Sequence, residues 1–189
     1  MNRAAMTRVF ERRHLWRMTT DAYWRATRLL AAAALNRLGA VPLVIGIGNG
    51  GRAPAYAIGA ETGASVVIVT ARHNASNETR LQASGEVSCD MSPLRALGGT
   101  EPLPGPFLIV DDICGSGSTL IALMEALRPM AEPGSVICTA TLCRNAGAPD
   151  GLPNLYVWDV ADWVVFPWER VPAGQACSSL PVPVEVRTA

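Results

Sequence analysis

Apolar residues in this chain collect into short unbroken runs: VPLVIGI at 41–47, SVVIVT at 65–70 and FLIV at 107–110. Runs of that length, apolar at nearly every position rather than every second one, are the pattern of strands buried on both faces. Helical stretches lie between them. An Ala/Leu/Arg-rich segment covers 22–38, with Thr19, Thr20 and Asp21 as capping residues before it and Gly39 at the C′ position after it. A second helix is expected over 53–62, with Pro54 in its first turn, and a third over 120–130. Further strands are expected at 135–142 and 155–158. Strand, short helix and strand make a βαβ unit, so the fold class is α/β, with a doubly wound, mainly parallel sheet.

Three stretches break this rhythm. Residues 1–18 are basic and aromatic, with Phe10 and Trp16, and form a lead-in arm expected to pack on the domain edge or on a second subunit, which makes a homodimer an expected assembly. Residues 72–100 are polar and only weakly alternating, and a segment of that length between core elements is expected to be a hairpin or mobile flap, with Gly85 at its turn. Beyond the loop at 145–153 comes the compact aromatic segment DWVVFPWE (162–169). A proline-bearing tail from 171 follows, without periodicity and expected to drape over the surface. There are no repeats. The expectation is a single domain over 1–189, with a core at about 20–142, the flap at 72–100 and a hood at 143–189 joined by the N-terminal arm.

Composition narrows the chemistry. With 49% hydrophobic and 17% charged residues the chain is globular rather than disordered. The formal net charge is zero, so no basic field invites nucleic acid. All 16 basic residues are Arg. Without Lys there is no Walker-type phosphate loop, no Schiff base and no lysine nucleophile. The five cysteines, Cys89, Cys114, Cys138, Cys143 and Cys177, are odd in number and lack CxxC spacing, so neither a disulfide framework nor a zinc site is indicated. His14 and His73 are too few and too separated for a histidine metal centre. No apolar run approaches the ~20 residues a bilayer span needs, and the basic N-terminus has no continuous apolar segment of the signal-peptide kind. A cytoplasmic protein without membrane contact is expected.

The chemistry concentrates in FLIVDDICGSGSTL at 107–120. A buried strand runs into two carboxylates, Asp111 and Asp112, then into Gly115, Ser116, Gly117, Ser118 and Thr119, then into a helix. Small residues let backbone N–H groups wrap a phosphate, hydroxyls add donors, and the helix N-terminus adds positive potential. The acid pair suits sugar hydroxyls or a divalent metal. VDDICGSGST resembles the phosphoribosyl-diphosphate (PRPP) motif of the type I phosphoribosyltransferases. The resemblance implies that residues 115–119 hold the 5′-phosphate, and that Asp111 and Asp112 serve catalysis by binding ribose hydroxyls and supporting Mg²⁺.

A second glycine turn follows the strand at 41–47. Gly46, Gly48 and Gly51 match G-x-G-x-x-G, but the dinucleotide fingerprint also needs an acid at the end of the next strand. That strand ends VTAR (69–72), with none. The same segment, GIGNGGRAPA, resembles the pyrophosphate loop of phosphoribosyltransferases, which implies pyrophosphate contacts from Gly48, Asn49, Gly50, Gly51, Arg52 and Arg72. Many purine-type members have a cation where this chain has Asn49, and the loop often holds a non-proline cis peptide, here Gly48–Asn49. DWVVFPWE resembles the base-binding segment of the hypoxanthine/guanine/xanthine branch. It implies that Trp163 stacks on the base with Val164, Trp168 and Glu169 in support, and that Arg144 faces a purine 6-oxo group. For Trp163 and Trp168 plain core packing is the competing reading, and for Arg144 a surface position at a strand end.

One departure touches mechanism. The acid that the branch carries as proton exchanger at purine N7 is replaced by Gly115, which leaves Asp162 or Glu169 as substitutes. The reaction implied is Mg²⁺-dependent transfer of 5-phosphoribose from PRPP to a nitrogen of a purine-like base, releasing pyrophosphate. The flap, with Arg72 and Arg80, is expected to close over the site and exclude water, and His73 is expected to face solvent rather than to join it. Two alternatives stay open: a non-catalytic regulator of the same fold that binds PRPP or nucleotides, and transfer to a non-purine acceptor.

Overall fold

The computed structural model describes residues 10–11, 15–73, 87–172, 174 and 176–189. In chain order, β1 (Leu15–Arg17) is followed by α1 (Thr20–Leu38), β2 (Leu43–Ile47), α2 (Arg52–Thr62) and β3 (Ser65–His73). Then come β4 (Val87–Asp90), α3 (Ser92–Gly98), β5 (Phe107–Cys114) and α4 (Ser118–Leu127) with a 3₁₀ turn at Arg128–Met130. The chain ends with β6 (Ile137–Asn145), β7 (Leu155–Val160), β8 (Trp163–Val165) and β9 (Ser178–Ser179). Thr19 caps α1 by accepting a 3.2 Å hydrogen bond from the Ala22 amide, and the Gly39 amide closes its C-terminus on the Leu35 carbonyl. Pro129 cannot donate to an α-helical ladder, so the third helix ends at Leu127 and tightens into the 3₁₀ turn instead of running to 130.

The main sheet has the order β4-β3-β2-β5-β6-β7, parallel except for the antiparallel edge pair β3–β4. From β2 the chain winds outward through α2 to β3, and from β5 it winds the opposite way through α4 to β6. The junction of β2 and β5 is therefore the topological switch point, where α/β sheets place their ligands at the carboxyl ends of the strands. Alternate strand residues serve two separate cores. Val44, Leu108 and Val110 pack with Leu30, Ala34 and Ile58 of α1 and α2, while Ile45, Phe107 and Ile109 pack with Leu94 of α3 and Leu120, Leu123 and Leu127 of α4.

A second, small parallel sheet has the order β8-β1-β9 and is built from segments expected to form a hood. Its middle strand is the N-terminal arm, with Leu15 in register with Trp163 and Trp16 with Ser178. The arm thus completes the chain's own hood. The tail is tied down as well: β9 pairs with β1, and Arg187 exchanges both backbone hydrogen bonds with Tyr156 of β7. A merely draping tail is corrected by these pairings, which a short polar strand does not advertise in sequence.

Between 72 and 100 the structure differs in part from a polar flap. β3 and β4 do form the two arms of an antiparallel pair, but Ser92–Gly98 is a helix with Leu94 fully buried, its first amide held by the Asp90 carboxylate at 3.0 Å. Gly85 and Arg80 lie outside the described residues, as does the His73 side chain. No described helix is long and apolar enough to cross a membrane.

Candidate active site

β5 continues through the acid pair to Cys114, because pairing with β6 persists at Asp111↔Thr141, Ile113↔Cys143 and Cys114↔Arg144. The two carboxylates consequently sit on strand backbone held in place by β6. The Asp112 amide donates to Asp111 Oδ1 at 3.0 Å. Burial pushes the Asp111 carboxyl well above its usual range, and the charge of Asp112 pushes in the same direction. A site that crowds two acids in this way favours a proton, a hydroxyl donor or a cation between them.

The turn after β2 lies directly against this pair. A Cβ on Gly50 would fall 2.3 Å from Asp112 Oδ2 and 2.6 Å from its carboxyl carbon. Only a residue without a side chain lets the carboxylate rest on that loop backbone. The turn itself is set by the Gly48 amide on the Val69 carbonyl (2.7 Å) and the Gly51 amide on the Ile47 carbonyl (2.9 Å). Gly48 reaches a φ of +50°, and the chain's cis peptides, among the described residues, are Gly105–Pro106 and Leu152–Pro153. The expected cis bond at Gly48–Asn49 is therefore corrected to trans, the reversal of direction being accomplished by the left-handed φ of Gly48.

Two helix N-termini open onto this region, each entered from a glycine that has no side chain to cap it: α2 begins after Gly51 and α4 after Gly117, where the Ser116 hydroxyl accepts the Ser118 amide at 3.4 Å. First-turn amides of a helix are anion-binding groups. Above α4, the Ser116 and Ser118 hydroxyls share a 2.9 Å hydrogen bond, while Gly117 takes a φ of +77° and its carbonyl accepts from the Ile121 amide. Asn49 and Arg52 are exposed beside the first of these helix ends. Arg72 is exposed on β3 in register with Ser88, in the field of Asp90, whose carboxyl is lowered first by the Ser92 hydroxyl and less by Arg95 and Arg72.

In the hood, Trp163 is half-buried and stacks on Phe10, ring centroids 6.2 Å apart at 21°. Val164 is buried in the core beneath it. Trp168 stacks on Phe166 at 5.1 Å and meets Tyr23 edge-on. One Glu169 carboxylate oxygen accepts the Phe166 amide at 2.9 Å, closing a turn. Asp162 is 3% exposed. The Arg144 guanidinium does not stand open toward an acceptor: its three nitrogens reach the Leu152, Ala148 and Pro149 carbonyls and Asp159. The residues that sequence reasoning missed are Phe10 as partner of Trp163, and Pro149, Asp159 and Arg187 around Arg144. Their contacts cross 15 or more residues in most cases, and no local pattern announces them.

Residues 22–170 match the family described as phosphoribosyl transferase domain. The chain is 32% identical over 163 residues to a xanthine-guanine phosphoribosyltransferase of Gluconobacter oxydans (strain 621H), covering 84% of this chain and 87% of that protein. The chain belongs to the phosphoribosyl transferase family. As a member it is a phosphoribosyltransferase, and the reading of the fold as a bare regulator gives way to an enzyme. Two solved structures share the fold. A purine phosphoribosyltransferase from Pyrococcus horikoshii Ot3 superposes with a TM-score of 0.65 at 21% identity, covering 86% of this chain and 98% of that one. A Helicobacter pylori xanthine-guanine-hypoxanthine phosphoribosyltransferase gives 0.65 at 18% identity, covering 82% and 94%.

Proposed function

We propose that this phosphoribosyltransferase moves the 5-phosphoribosyl group of PRPP onto a ring nitrogen of a 6-oxopurine base and releases pyrophosphate. The observation that carries the reading is the contact of Asp112 with Gly50, which brings the acid pair, the phosphate loop and the glycine turn onto one switch point. The acceptor class rests on the xanthine-guanine enzyme of Gluconobacter oxydans, similar over most of both chains.

In this assignment Gly115, Ser116, Gly117, Ser118 and Thr119 hold the 5′-phosphate with α4's first turn. Gly48, Asn49, Gly50, Gly51 and Arg52, with α2's first turn, hold the pyrophosphate, and Arg72 approaches from β3. Asp111 and Asp112 hold ribose hydroxyls. The C1–O bond to pyrophosphate breaks, leaving its electron pair on pyrophosphate, a C1–N bond to the base forms, and the base nitrogen passes its proton to water or to the departing pyrophosphate. The sugar is oxocarbenium-like between these events, so fixed dipoles and correct placement supply most of the acceleration. Among the described residues no cluster of three or more His, Cys, Asp or Glu could hold a metal. A crowded acid pair with no third ligand fits Mg²⁺, which is held by one or two carboxylates and completes its shell with substrate oxygens and water. When bound, Mg²⁺ neutralises charge on the departing pyrophosphate. Trp163, with Val164 and Glu169 shaping the hood around it, forms one wall for the base. The division into core, flap and hood within one domain, a cytoplasmic setting without nucleic acid, and assembly as a homodimer belong to the same reading.

The test is pyrophosphate release from PRPP and Mg²⁺ with xanthine, guanine, hypoxanthine, adenine and orotate in turn. Release is expected with the 6-oxopurines, and abolished in the folded Asp111→Asn/Asp112→Asn double variant. PRPP binding without release in the presence of any base would overturn the proposal.

A further inference from the structure

Arg144 ends its side chain among backbone carbonyls. Nε donates to the Leu152 carbonyl at 3.0 Å, and Nη2 donates to those of Ala148 and Pro149 at 3.3 and 3.4 Å. These groups belong to the loop that joins β6 to β7, and that loop lies on the phosphate loop. Pro149 Cδ and Cγ stand 2.9 and 3.0 Å from where a Cβ on Gly117 would be, with Leu152 Cδ1 at 3.7 Å. The turn is braced within itself by the Ser116–Ser118 hydroxyl contact, and the 148–152 loop adds the packing over Gly117, which has no side chain of its own. Arg144 is in turn held from behind. Asp159 Oδ1 is 3.7 Å from Nη1, the Tyr156 ring lies under the guanidinium, and Asp159 Oδ2 takes a 2.7 Å ion pair from Arg187, whose backbone pairs with Tyr156.

We propose that Arg144 is a positioning residue for the 5′-phosphate loop. It draws the loop at 148–152 down onto Gly117, and Arg187, near the end of the chain, sets its orientation through Asp159. The inference rests on the assignment of residues 115–119 to the PRPP phosphate. It gives Arg144 a role on the donor side, where the resemblance implied one on the acceptor side. The planar guanidinium reaches these carbonyls from two nitrogens held apart in one rigid plane, a spread that the single nitrogen of an ammonium does not reproduce even with its three donors.

The experiment measures PRPP binding with Mg²⁺ in the absence of base by calorimetry, alongside KM for PRPP and for guanine. For Arg144→Lys we expect PRPP Kd and KM to rise about 10-fold, with KM for guanine within about 2-fold of wild type. Arg187→Ala acts at an exposed ion pair, so it folds and should weaken PRPP binding by only about 2- to 5-fold, with Arg187→Lys restoring it. Unchanged PRPP binding in Arg144→Lys with a raised guanine KM would overturn the proposal and return Arg144 to the acceptor. If Arg144→Lys does not fold, Arg187→Ala alone decides: equal weakening toward both substrates, or toward neither, refutes the proposal. Wild-type protein that fails to bind PRPP would refute the phosphate-loop assignment itself, a different result.

Discussion

Replacing Gly50 by Ala adds one methyl group where the structure leaves no room for it. The new Cβ would sit 2.3 Å and 2.8 Å from the two Asp112 oxygens, against an ordinary contact of about 3.4 Å, so the carboxylate must retreat by about 1 Å. The backbone itself tolerates Ala, since Gly50 is not among the positive-φ glycines. Overpacking costs about 1–3 kcal/mol, and the loss of glycine's freedom in the unfolded chain returns about 0.4–1 kcal/mol. The net destabilisation of about 0–2.5 kcal/mol should lower Tm by no more than about 10 °C. Activity should suffer far more, because a 1 Å misplacement of a group that positions substrate costs on the order of 100-fold. The assay is kcat/KM for PRPP with guanine as acceptor, read beside Gly63→Ala. Gly63 has a φ of +72° and open space around it, so that variant carries a comparable stability loss far from the chemistry and should keep full activity. A folded Gly50→Ala protein with kcat/KM within about 3-fold of wild type would refute the argument that the seat of Asp112 on this loop matters.

Trp163→Ala should raise KM for the base about 10-fold, as expected for a lost stacking partner worth about 1–3 kcal/mol, with KM for PRPP unchanged; an unaltered base KM would remove Trp163 from the acceptor wall. Alkaline stability follows from two buried acids: burial holds the Cys114 thiol and the Tyr23 hydroxyl at about 12, against 9.0 and 10.0 for the free groups. The folded state thus keeps protons that the unfolded chain releases, so stability falls as pH rises from about 9 to about 12, by up to about 1.4 kcal/mol per pH unit for each group. Urea midpoints between pH 8 and 11 in reducing buffer check this, and Cys114→Ser should flatten the slope below pH 10. Native alkylation at pH 8 should modify the part-exposed Cys177 and spare the buried Cys114, Cys138 and Cys143.

The segment proposed to hold the donor could be read in the sequence because it is local. Strand, acid pair, small-residue turn and helix fall within residues 107–120, and the apolar runs that announce β2, β3 and β5 are the same residues that fill the two cores. Boundaries moved by about two to four residues, most clearly where long-range pairing extended a strand, as β6 does for Asp111 and Cys114, or where a proline altered a helix end.

The region proposed to hold the acceptor is written differently. Its sheet takes β1, β8 and β9 from three distant parts of the chain, each two or three residues long, too short to show periodicity. Phe10 reaches Trp163 only because Leu15 happens to share its register, and Glu169, spent on the Phe166 amide, looks in sequence like a free acid. Arg144 shows the limit most clearly. Its place near the end of β6 resembles that of a base-facing cation, yet whether it serves base or phosphate depends on where the 148–152 carbonyls lie, a property of the folded loop alone. A family pattern transfers a residue's place along a strand, whereas its partners are set by the loop that follows, and loops are where members of one fold diverge. In the proposed assignment Gly115 offers no proton exchanger at that end of the sheet and Arg144 is engaged by the 148–152 loop, so differences in turnover among acceptors should track the base's own acidity rather than a proton taken by either residue.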